Sequence, residues 1–472
     1  MNATLMRQMA VVLFAGVFAV FAGLASSVLP WWLVLPVFLL PVLVASGWRW
    51  PMVALVVVLL AVLGVLPVIK NKLVDAMVLA FMSLMVIVGL NDIPLVVKRY
   101  YKLFGWLAAF TLWVVLSAAY GHLYQRHFTA YIYTETSIVL HWLMFFAVAL
   151  LARDERSAGT VLRIIIGLAV VLCLVSLAQS LFALRLNFSG ESRVEVLDEA
   201  SGGISGIKRS LVPGVPLVLF TFFLSLVTIL RGNGRSWVWW PILMVTVLAL
   251  FVSFGRALWA VTAVMSLLAA AMAGRRALGR FVVVGGLMAL MLVAVLSVAK
   301  PEVLEGIINR MTSVRYEGGA SSSLGWRLTE NYFAIPQIKQ NLLMGLGLGA
   351  EYKPRLIELQ YFTEQTHYIH NGYLYVMLKM GLTGMLFYLG LYLGLLRLCL
   401  EGRLFSRDEA CAPRIAAAAV LLGVLLLNVT QPELFTSVTI TSLATLIPVA
   451  YQARMRRAGE PDASARAVPH VG

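Results

Sequence analysis

The feature that most constrains this chain is a series of long apolar runs that recurs along most of its length. A helix needs about 20 apolar residues to cross the hydrocarbon core of a bilayer. Such runs lie at 8–28, 31–47, 50–68, 74–91, 103–120, 138–152, 160–183, 210–230, 237–254, 257–273, 281–298, 371–396, 415–430 and 436–452. We therefore predict an all-α membrane protein, a polytopic bundle of about 12–14 transmembrane helices.

Composition supports lipid as the solvent for most of the chain. Hydrophobic residues make up 61% of it and charged residues 12%, whereas soluble domains carry about 25% charged residues. The formal net charge of +15 would suggest nucleic acid as a partner of a soluble protein. Here the basic residues mark the ends of membrane helices, so no nucleic-acid partner is expected.

The positive-inside rule gives the orientation. With a cytoplasmic N-terminus, most Lys and Arg residues fall in cytoplasmic loops, although Lys70 and Lys72 oppose the scheme. Both termini are then cytoplasmic. The predicted organisation is transmembrane helices 1–11 in 1–298, a large periplasmic loop in 299–370, helices 12–14 in 371–457, and a disordered cytoplasmic tail in 458–472.

The long outer loop has an organisation of its own. Segments 301–314 and 326–345 have helical apolar spacing, the second interrupted by Pro336, and Gly-rich 345–349 predicts a flexible turn. Short amphipathic helices of this kind suit a lid at the lipid interface. The alternative is a passive connector.

Arginines are the first candidates for chemistry, because ionisable groups near the bilayer are costly and often functional. Arg256 lies between two apolar spans at their predicted outer end, and the alternative is an arginine that reaches to the interface. Arg327 precedes Glu330 by one helical turn, and the alternative is a surface ion pair. Lys208 and Arg209 precede the span at 210–230, where they could also be ordinary helix-end anchors.

A histidine is the second kind of candidate. His370 opens the span at 371–396 and is followed by Asn371. A neutral imidazole there can accept a proton near neutral pH, whereas the alternative is a hydrogen-bonded structural residue. His367 would share a helical face with His370, which raises a metal site. We expect no metal, because no third ligand is suitably spaced in sequence.

Together these residues suggest a binding site for a polyprenyl diphosphate. Arginine suits diphosphate through its forked donors. The lipid tail would lie among membrane lipids between the spans, and the histidine would stand beside the bond between sugar and phosphate.

The stretch 370–384 resembles a known family signature. His370 and Asn371, followed after nine residues by Gly381 and Gly384, match the H-[NSQ]-x9-G-x-x-G pattern of the O-antigen ligase and polymerase superfamily. Arg256 matches that family's arginine at the outer end of a central helix, and Arg327 matches a second one in a Gly-Trp-Arg context. Between them and the histidine, a Pro and Gly pattern is met by Pro336, Gly345, Gly347 and Gly349.

The resemblance implies transfer of a glycan from undecaprenyl diphosphate to an acceptor hydroxyl on the periplasmic face of a bacterial inner membrane, without metal or other cofactor. It implies that His370 is the general base and that Arg256 and Arg327 hold the leaving diphosphate. Arg209, Lys208, Asn371 and Glu330 are the predicted substrate-binding residues.

Two activities of the superfamily remain open, and a third possibility belongs to another class. A ligase transfers the glycan to lipid A core, and a polymerase transfers it to a second lipid-linked glycan. We favour the ligase. The alternative from another class is a transporter or flippase of lipid-linked oligosaccharides, for which Lys379 is the best midplane candidate.

Overall fold

A computed structural model describes residues 51–65, 71–182, 194–196, 208–210, 214–232, 236–299, 323–354, 366–401 and 411–453, together with single residues between 301 and 312. The predicted spans at 8–28 and 31–47, the tail at 458–472 and most of the predicted helix at 301–314 lie outside the described residues.

Helices dominate the described part of the chain. They are α1 (Pro51–Val62), α2 (Asn71–Val88), α3 (Ile93–Leu123), α4 (Thr129–His141), α5 (Leu143–Leu151), α6 (Glu155–Phe182), α7 (Val215–Arg231), α8 (Ser236–Val252), α9 (Arg256–Ala273), α10 (Arg275–Ala299), α11 (Ser323–Gln340), α12 (Gly372–Leu400), α13 (Ala412–Leu427) and α14 (Ser437–Gln452). A 3₁₀ turn, Glu433–Phe435, precedes α14.

Length and composition identify the membrane-crossing helices. Six stretches of the described chain are long and apolar enough to span a bilayer: Ile93–Leu123, Thr129–Leu151, Glu155–Ser180, Arg256–Ala273, Arg275–Val298 and Gly372–Leu400. Four shorter apolar helices accompany them. Large apolar side chains such as Val282 and Leu290 are 73% and 67% exposed, which is expected of surfaces that face lipid. The prediction of an all-α, multi-pass membrane protein is confirmed.

A short β-ribbon is the exception to the helical architecture. Strand β1 (Val194–Val196) pairs antiparallel with β2 (Lys208–Ser210). The predicted span at 210–230 therefore begins later, at Val215, after Gly214 in a left-handed conformation. Lys208 and Arg209 lie on a strand, not at the start of a helix.

The start of α12 defines one face of the bundle, which we call the His370 face. The end of α3 lies there, because Leu348 N donates to Ser117 O and Gly121 packs against Leu348, in the turn that contacts α12. The start of α4 lies there too, since the Tyr131 ring stacks on His367 with centroids 4.1 Å apart.

Further contacts bring other helices to the same face. Tyr133 OH donates to Asp75 Oδ2 over 3.0 Å, which places the start of α2 there. Leu63, just past α1, packs against Gly214, and this contact links the end of α1 to the start of α7. Arg280 Nη1 donates to Leu230 O over 3.0 Å, so α10 starts beside the end of α7. Only Gly274 separates the end of α9 from the start of α10, so α9 ends near the end of α7. Helix α9 therefore runs parallel to α7 and starts at the His370 face.

Helix α12 is broken at Gly381, and the break is filled by the turn after α11. Gly381 has φ +64° and ψ −169°, a conformation that is almost restricted to glycine. Leu382 N donates to Leu342 O over 2.8 Å instead of to Leu378 O, and Leu378 O accepts from Leu346 N over 2.7 Å. The backbone groups freed by the break are thus satisfied, as burial requires.

Helix α11 runs along the first half of α12 in the same direction. Glu330 contacts His370, and Leu342, 12 residues further on, contacts Leu382, 12 residues after His370. The helix therefore descends beside α12 instead of lying flat as a surface lid. Pro336 lies inside α11 and does not interrupt it, contrary to the prediction.

Close packing explains both glycines of the G-x-x-G signature. A Cβ on Gly381 would lie 2.3 Å from Leu343 O, and one on Gly384 would lie 2.9 Å from the Trp113 indole nitrogen. Gly345 faces them with φ +70°, and its Cβ would lie 2.7 Å from Gly381 N. The predicted Gly-rich turn is therefore a fitted contact with α12.

We expect Gly381→Ala to destabilise the protein by at least about 2 kcal/mol, because it adds strain at a positive φ and a clash with Leu343 O. Thermal unfolding of the purified protein in detergent measures this as a lowered Tm. Gly167→Ala is the matched control, since nothing lies within 4 Å of a Cβ there. Equal Tm values for the two variants would contradict the fitted turn.

Candidate active site

Glu330 is the centre of a buried polar cluster on the His370 face. Its residue exposure is 1%. Oε2 accepts a hydrogen bond from the His370 backbone N–H over 2.8 Å, and Oε1 lies 3.0 Å from His370 Nδ1. Trp326 Nε1 donates to Oε1 over 3.1 Å. Both carboxylate oxygens are thus directed at protein groups, and Glu330 holds both the backbone and the ring of His370.

The contact with Glu330 selects one tautomer of His370. An ionised carboxylate can only accept a hydrogen bond, so in the neutral imidazole this contact assigns the proton to Nδ1. Nε2 then keeps its lone pair and is the atom that can accept a proton. The Tyr368 ring packs edge-on against the imidazole, with centroids 5.1 Å apart. The ring is thus fixed in position and in protonation pattern, as a general base requires.

Asn371 caps α12. Its Oδ1 accepts hydrogen bonds from Tyr373 N (3.0 Å) and Leu374 N (3.2 Å). Gly372 N donates to Asn428 O over 2.8 Å, and a Cβ on Gly372 would lie 2.2 Å from Asn428 Oδ1. The residues after His370 therefore fix the start of the helix, and a substrate contact of Asn371 remains a prediction.

Arg327 lies one turn before Glu330 on α11. Its side chain is partly buried, and burial lowers the pKa of the guanidinium, while the charge of Glu330 opposes that shift. Its Nε is buried and, among the described residues, has no hydrogen-bond partner. A buried donor without a partner costs free energy. This N–H keeps Arg327 a candidate for holding an anion, and that role remains a prediction.

Lys353 was not anticipated from the sequence. Its Nζ lies 3.8 Å from Glu330 Oε1 and 4.2 Å from the centroid of the Trp326 ring. Burial lowers the pKa of its ammonium group, and Glu330 opposes the shift. A loop lysine outside any motif gives no sequence signal for such a position.

Arg256 is the first residue of α9, with Gly255 as the preceding cap residue. The helix starts at the His370 face and packs against α13, where a Cβ on Gly423 would lie 3.3 Å from Val261. The end of α13 lies beside the start of α12, because Gly372 N donates to Asn428 O. Arg256 and His370 are thus brought to the same face, on helices that both contact α13.

The other predicted cationic residues lie on the β-ribbon. Arg209 pairs in register with Glu195, and Lys208 pairs with Val196. Their side chains lie outside the described residues, so their contribution to the site stays a prediction.

His367 does not share a helix with His370, contrary to the prediction, because α12 begins only at Gly372. Its ring stacks on Tyr131, and its Nδ1 is buried without a hydrogen-bond partner among the described residues. Burial, reinforced by Lys379, lowers the pKa of this imidazole. In the part of the chain that the structure describes, no group of three or more His, Cys, Asp or Glu side chains could hold a metal ion.

Lys379, the residue singled out for transport, is fully buried in an ion pair. Its Nζ lies 3.0 Å from Glu135 Oε1 on α4 and also donates to Ala350 O. Gly349 N donates to Glu135 Oε2 over 2.6 Å. The ion pair therefore holds the Gly-rich turn in place between α4 and α12. This is a structural role for a charged residue within the membrane.

A second buried pair lies deeper in the bundle. His141 Nε2 contacts Asp75 Oδ1 over 3.1 Å, and its Nδ1 contacts Thr441 Oγ1 over 2.8 Å. Tyr133 completes the network through Asp75. The Lys379–Glu135 pair is thus hydrogen-bonded to the turn at Gly349 and Ala350, and the His141–Asp75 pair to side chains on α14 and α4.

Fold and site together define a class: a multi-pass helical membrane protein with a carboxylate-oriented histidine at one end of its bundle, and an arginine one helical turn from that carboxylate. Residues 241–389 match the family model described as O-antigen ligase, a segment that includes Arg256, Arg327, Glu330 and His370. The match confirms the predicted resemblance to the O-antigen ligase and polymerase superfamily over this segment, and it supports a membrane enzyme of that type. No curated protein matches the chain.

Proposed function

We propose that this protein is a metal-independent glycosyltransferase that moves a glycan from undecaprenyl diphosphate to an acceptor hydroxyl on the periplasmic face of the inner membrane. The observation that carries the proposal is the arrangement around Glu330: one carboxylate orients His370 and lies beside Arg327, whose Nε is unpaired among the described residues. A base and a donor for an anion are the two groups that such a transfer needs.

The proposed step is a single displacement at the anomeric carbon. The acceptor hydroxyl gives its proton to Nε2 of His370, and its oxygen forms the new bond to the sugar. The bond between the anomeric carbon and the phosphate oxygen breaks, and its electron pair leaves on the diphosphate. Glu330 stabilises the imidazolium that forms, as the carboxylate does in a Ser-His-Asp triad.

Arginines stabilise the leaving group in this proposal. Negative charge grows on the diphosphate as the bond breaks, and fixed cations at that position lower the barrier. Arg327 and Arg256 take this role, with Arg209 and Lys208 as further contacts. The polyprenyl tail stays among membrane lipids, since the site lies at the end of membrane-crossing helices. No nucleotide is needed, because diphosphate is already the leaving group, and in this proposal the arginine cations neutralise it in place of a metal.

Lipid A core is our preferred acceptor, which makes the protein an O-antigen ligase. A second lipid-linked glycan as acceptor would make it a polymerase. Purified protein incubated with lipid-linked glycan and each acceptor in turn separates the two activities on a gel. A product with lipid A core supports the ligase, and lengthened lipid-linked chains support the polymerase. Absence of both products, with protein that remains folded, would contradict glycan transfer.

We expect Arg327→Lys to lower the transfer rate by about 10²-fold, because an ammonium cannot reproduce the forked contacts of a guanidinium with phosphate oxygens. Initial rates at saturating acceptor, over a range of donor concentrations, measure the loss. Lys339→Arg, at an exposed position of the same helix, is the matched control with the reverse exchange. Wild-type rates for Arg327→Lys would remove Arg327 from the diphosphate site.

A further inference from the structure

We propose that Lys353 is a positioning residue of the active site: its ammonium keeps Glu330 ionised, so that Glu330 holds His370 with its proton on Nδ1. The inference rests on the proposed function, because it concerns the same base. It assigns a role to a residue that lies outside the motifs of the sequence.

The first support is the way in which Lys353 is built into the site. Its side chain is 3% exposed, so a long flexible chain is held in one place. The backbone beside it is fixed on two sides: Gln337 Nε2 donates to Tyr352 O over 2.7 Å, and Tyr352 OH donates to Tyr368 O over 2.9 Å. Lys353 is therefore tied both to α11 and to the segment that leads into His370.

The second support is the composition of the ammonium's surroundings. Nζ lies 4.2 Å above the Trp326 ring and 3.8 Å from Glu330 Oε1. The same indole donates its N–H to that Oε1. A buried ammonium is costly unless an anion and a polarisable surface compensate it. Glu330 is the carboxylate that does so here, and in return the ammonium favours the ionised form of Glu330.

The third support is the charge balance around His370. Glu330 contacts His370 directly, and the Tyr368 ring packs against the imidazole. Arg327, Lys353 and Tyr352 each interact electrostatically with Glu330. The Glu330 carboxylate thus interacts with two cations, Arg327 and Lys353, and with the His370 imidazole. A protonated Glu330 would accept a weaker hydrogen bond from Nδ1–H. The tautomer that the proposed catalysis needs would then be less favoured.

The test compares Lys353→Met with Lys353→Arg in the purified full-length protein, using transfer of lipid-linked glycan as the assay. Methionine keeps the apolar stem against Trp326 and removes the charge, whereas arginine keeps the charge. We expect Lys353→Met to lower kcat at pH 7 by about tenfold and Lys353→Arg to retain most of it. Lys339→Met, on the exposed side of α11, controls for the loss of a lysine charge.

The pH profile separates positioning from a loss of fold. Without the ammonium, Glu330 takes up a proton at a higher pH, and the proposed mechanism needs its ionised form, so the acidic limb of the kcat profile should move up by about one pH unit in Lys353→Met. The variant then loses most activity at low pH and recovers as the pH rises. A merely structural defect would lower the rate at every pH by the same factor.

A double variant decides whether Lys353 acts through Glu330. If it does, Lys353→Met should add little to the loss caused by Glu330→Gln. The inference would be overturned if the rate losses of Lys353→Met and Glu330→Gln multiply in the double variant. An unchanged rate and pH profile for Lys353→Met would also overturn it. That result would leave the proposed function intact as long as His370→Ala is inactive, whereas full activity of His370→Ala would reject the proposed function itself.

Discussion

Replacement of His370 by alanine should reduce glycan transfer by about 10³-fold or more, because it removes the base that accepts the hydroxyl proton. The purified variant should keep the melting temperature of the wild type within a few degrees, since the imidazole is near the surface of the site, with 14% side-chain exposure. Transfer of labelled lipid-linked glycan to acceptor, followed over time, is the measurement.

A second variant ties that loss to the geometry around the histidine. Glu330→Gln keeps the size of the side chain and one acceptor oxygen, but removes the charge that stabilises the imidazolium. Its rate should fall between those of wild type and His370→Ala, and a Glu330→Gln/His370→Ala double variant should be no slower than His370→Ala alone. Wild-type activity in His370→Ala would end the assignment of the base.

The second large effect concerns stability. Lys379→Met should lower the free energy of unfolding by about 3–5 kcal/mol, because it leaves Glu135 as a buried carboxylate without its cation. The Gly-rich turn would also lose the ammonium that donates to Ala350 O. Unfolding of the purified protein in detergent, monitored by tryptophan fluorescence, measures the loss.

Removal of both charges is the control for this prediction. A Lys379→Met/Glu135→Met variant should recover part of the stability, since two apolar side chains leave no buried charge. If Lys379→Met unfolds as the wild type does, the pair does not fasten the turn. If the double variant loses as much free energy of unfolding as the two single variants together, the charges are not coupled.

The sequence predicted the membrane helices from their apolar runs, both where a helix faces lipid and where, like α14, it is buried inside the bundle. The predicted spans at 257–273 and 436–452 agree with α9 and α14 to within one residue. The start of α7 was placed too early because most of 210–230 is apolar, although Pro213, Gly214 and Pro216 mark the boundary. Local composition does not reveal that 208–210 pairs with a strand more than ten residues away.

The descent of α11 beside α12 was beyond sequence reasoning. Its direction depends on a break at Gly381 and on backbone hydrogen bonds from a turn about 35 residues earlier in the chain. Pro336 normally signals the end of a helix, yet α11 continues through it to Gln340. Packing against α12 outweighs the local preference.

The sequence identified several residues of the site but not the contacts between them. Motif spacing singled out His370 and Arg327, whereas Glu330 was assigned to substrate and instead contacts His370 across 40 positions of sequence. Lys353 carries no pattern that distinguishes it from other loop lysines. Such pairings depend on tertiary structure, and a spacing rule along one helix cannot detect them.

The most direct measurement is an experimental structure of the protein with undecaprenyl diphosphate bound. Our account predicts phosphate oxygens within about 3 Å of Arg327 Nε, the sugar-bearing end beside Nε2 of His370, and the polyprenyl chain leaving toward lipid. A diphosphate bound at the opposite end of the bundle, or with Arg327 and His370 outside its reach, would contradict it.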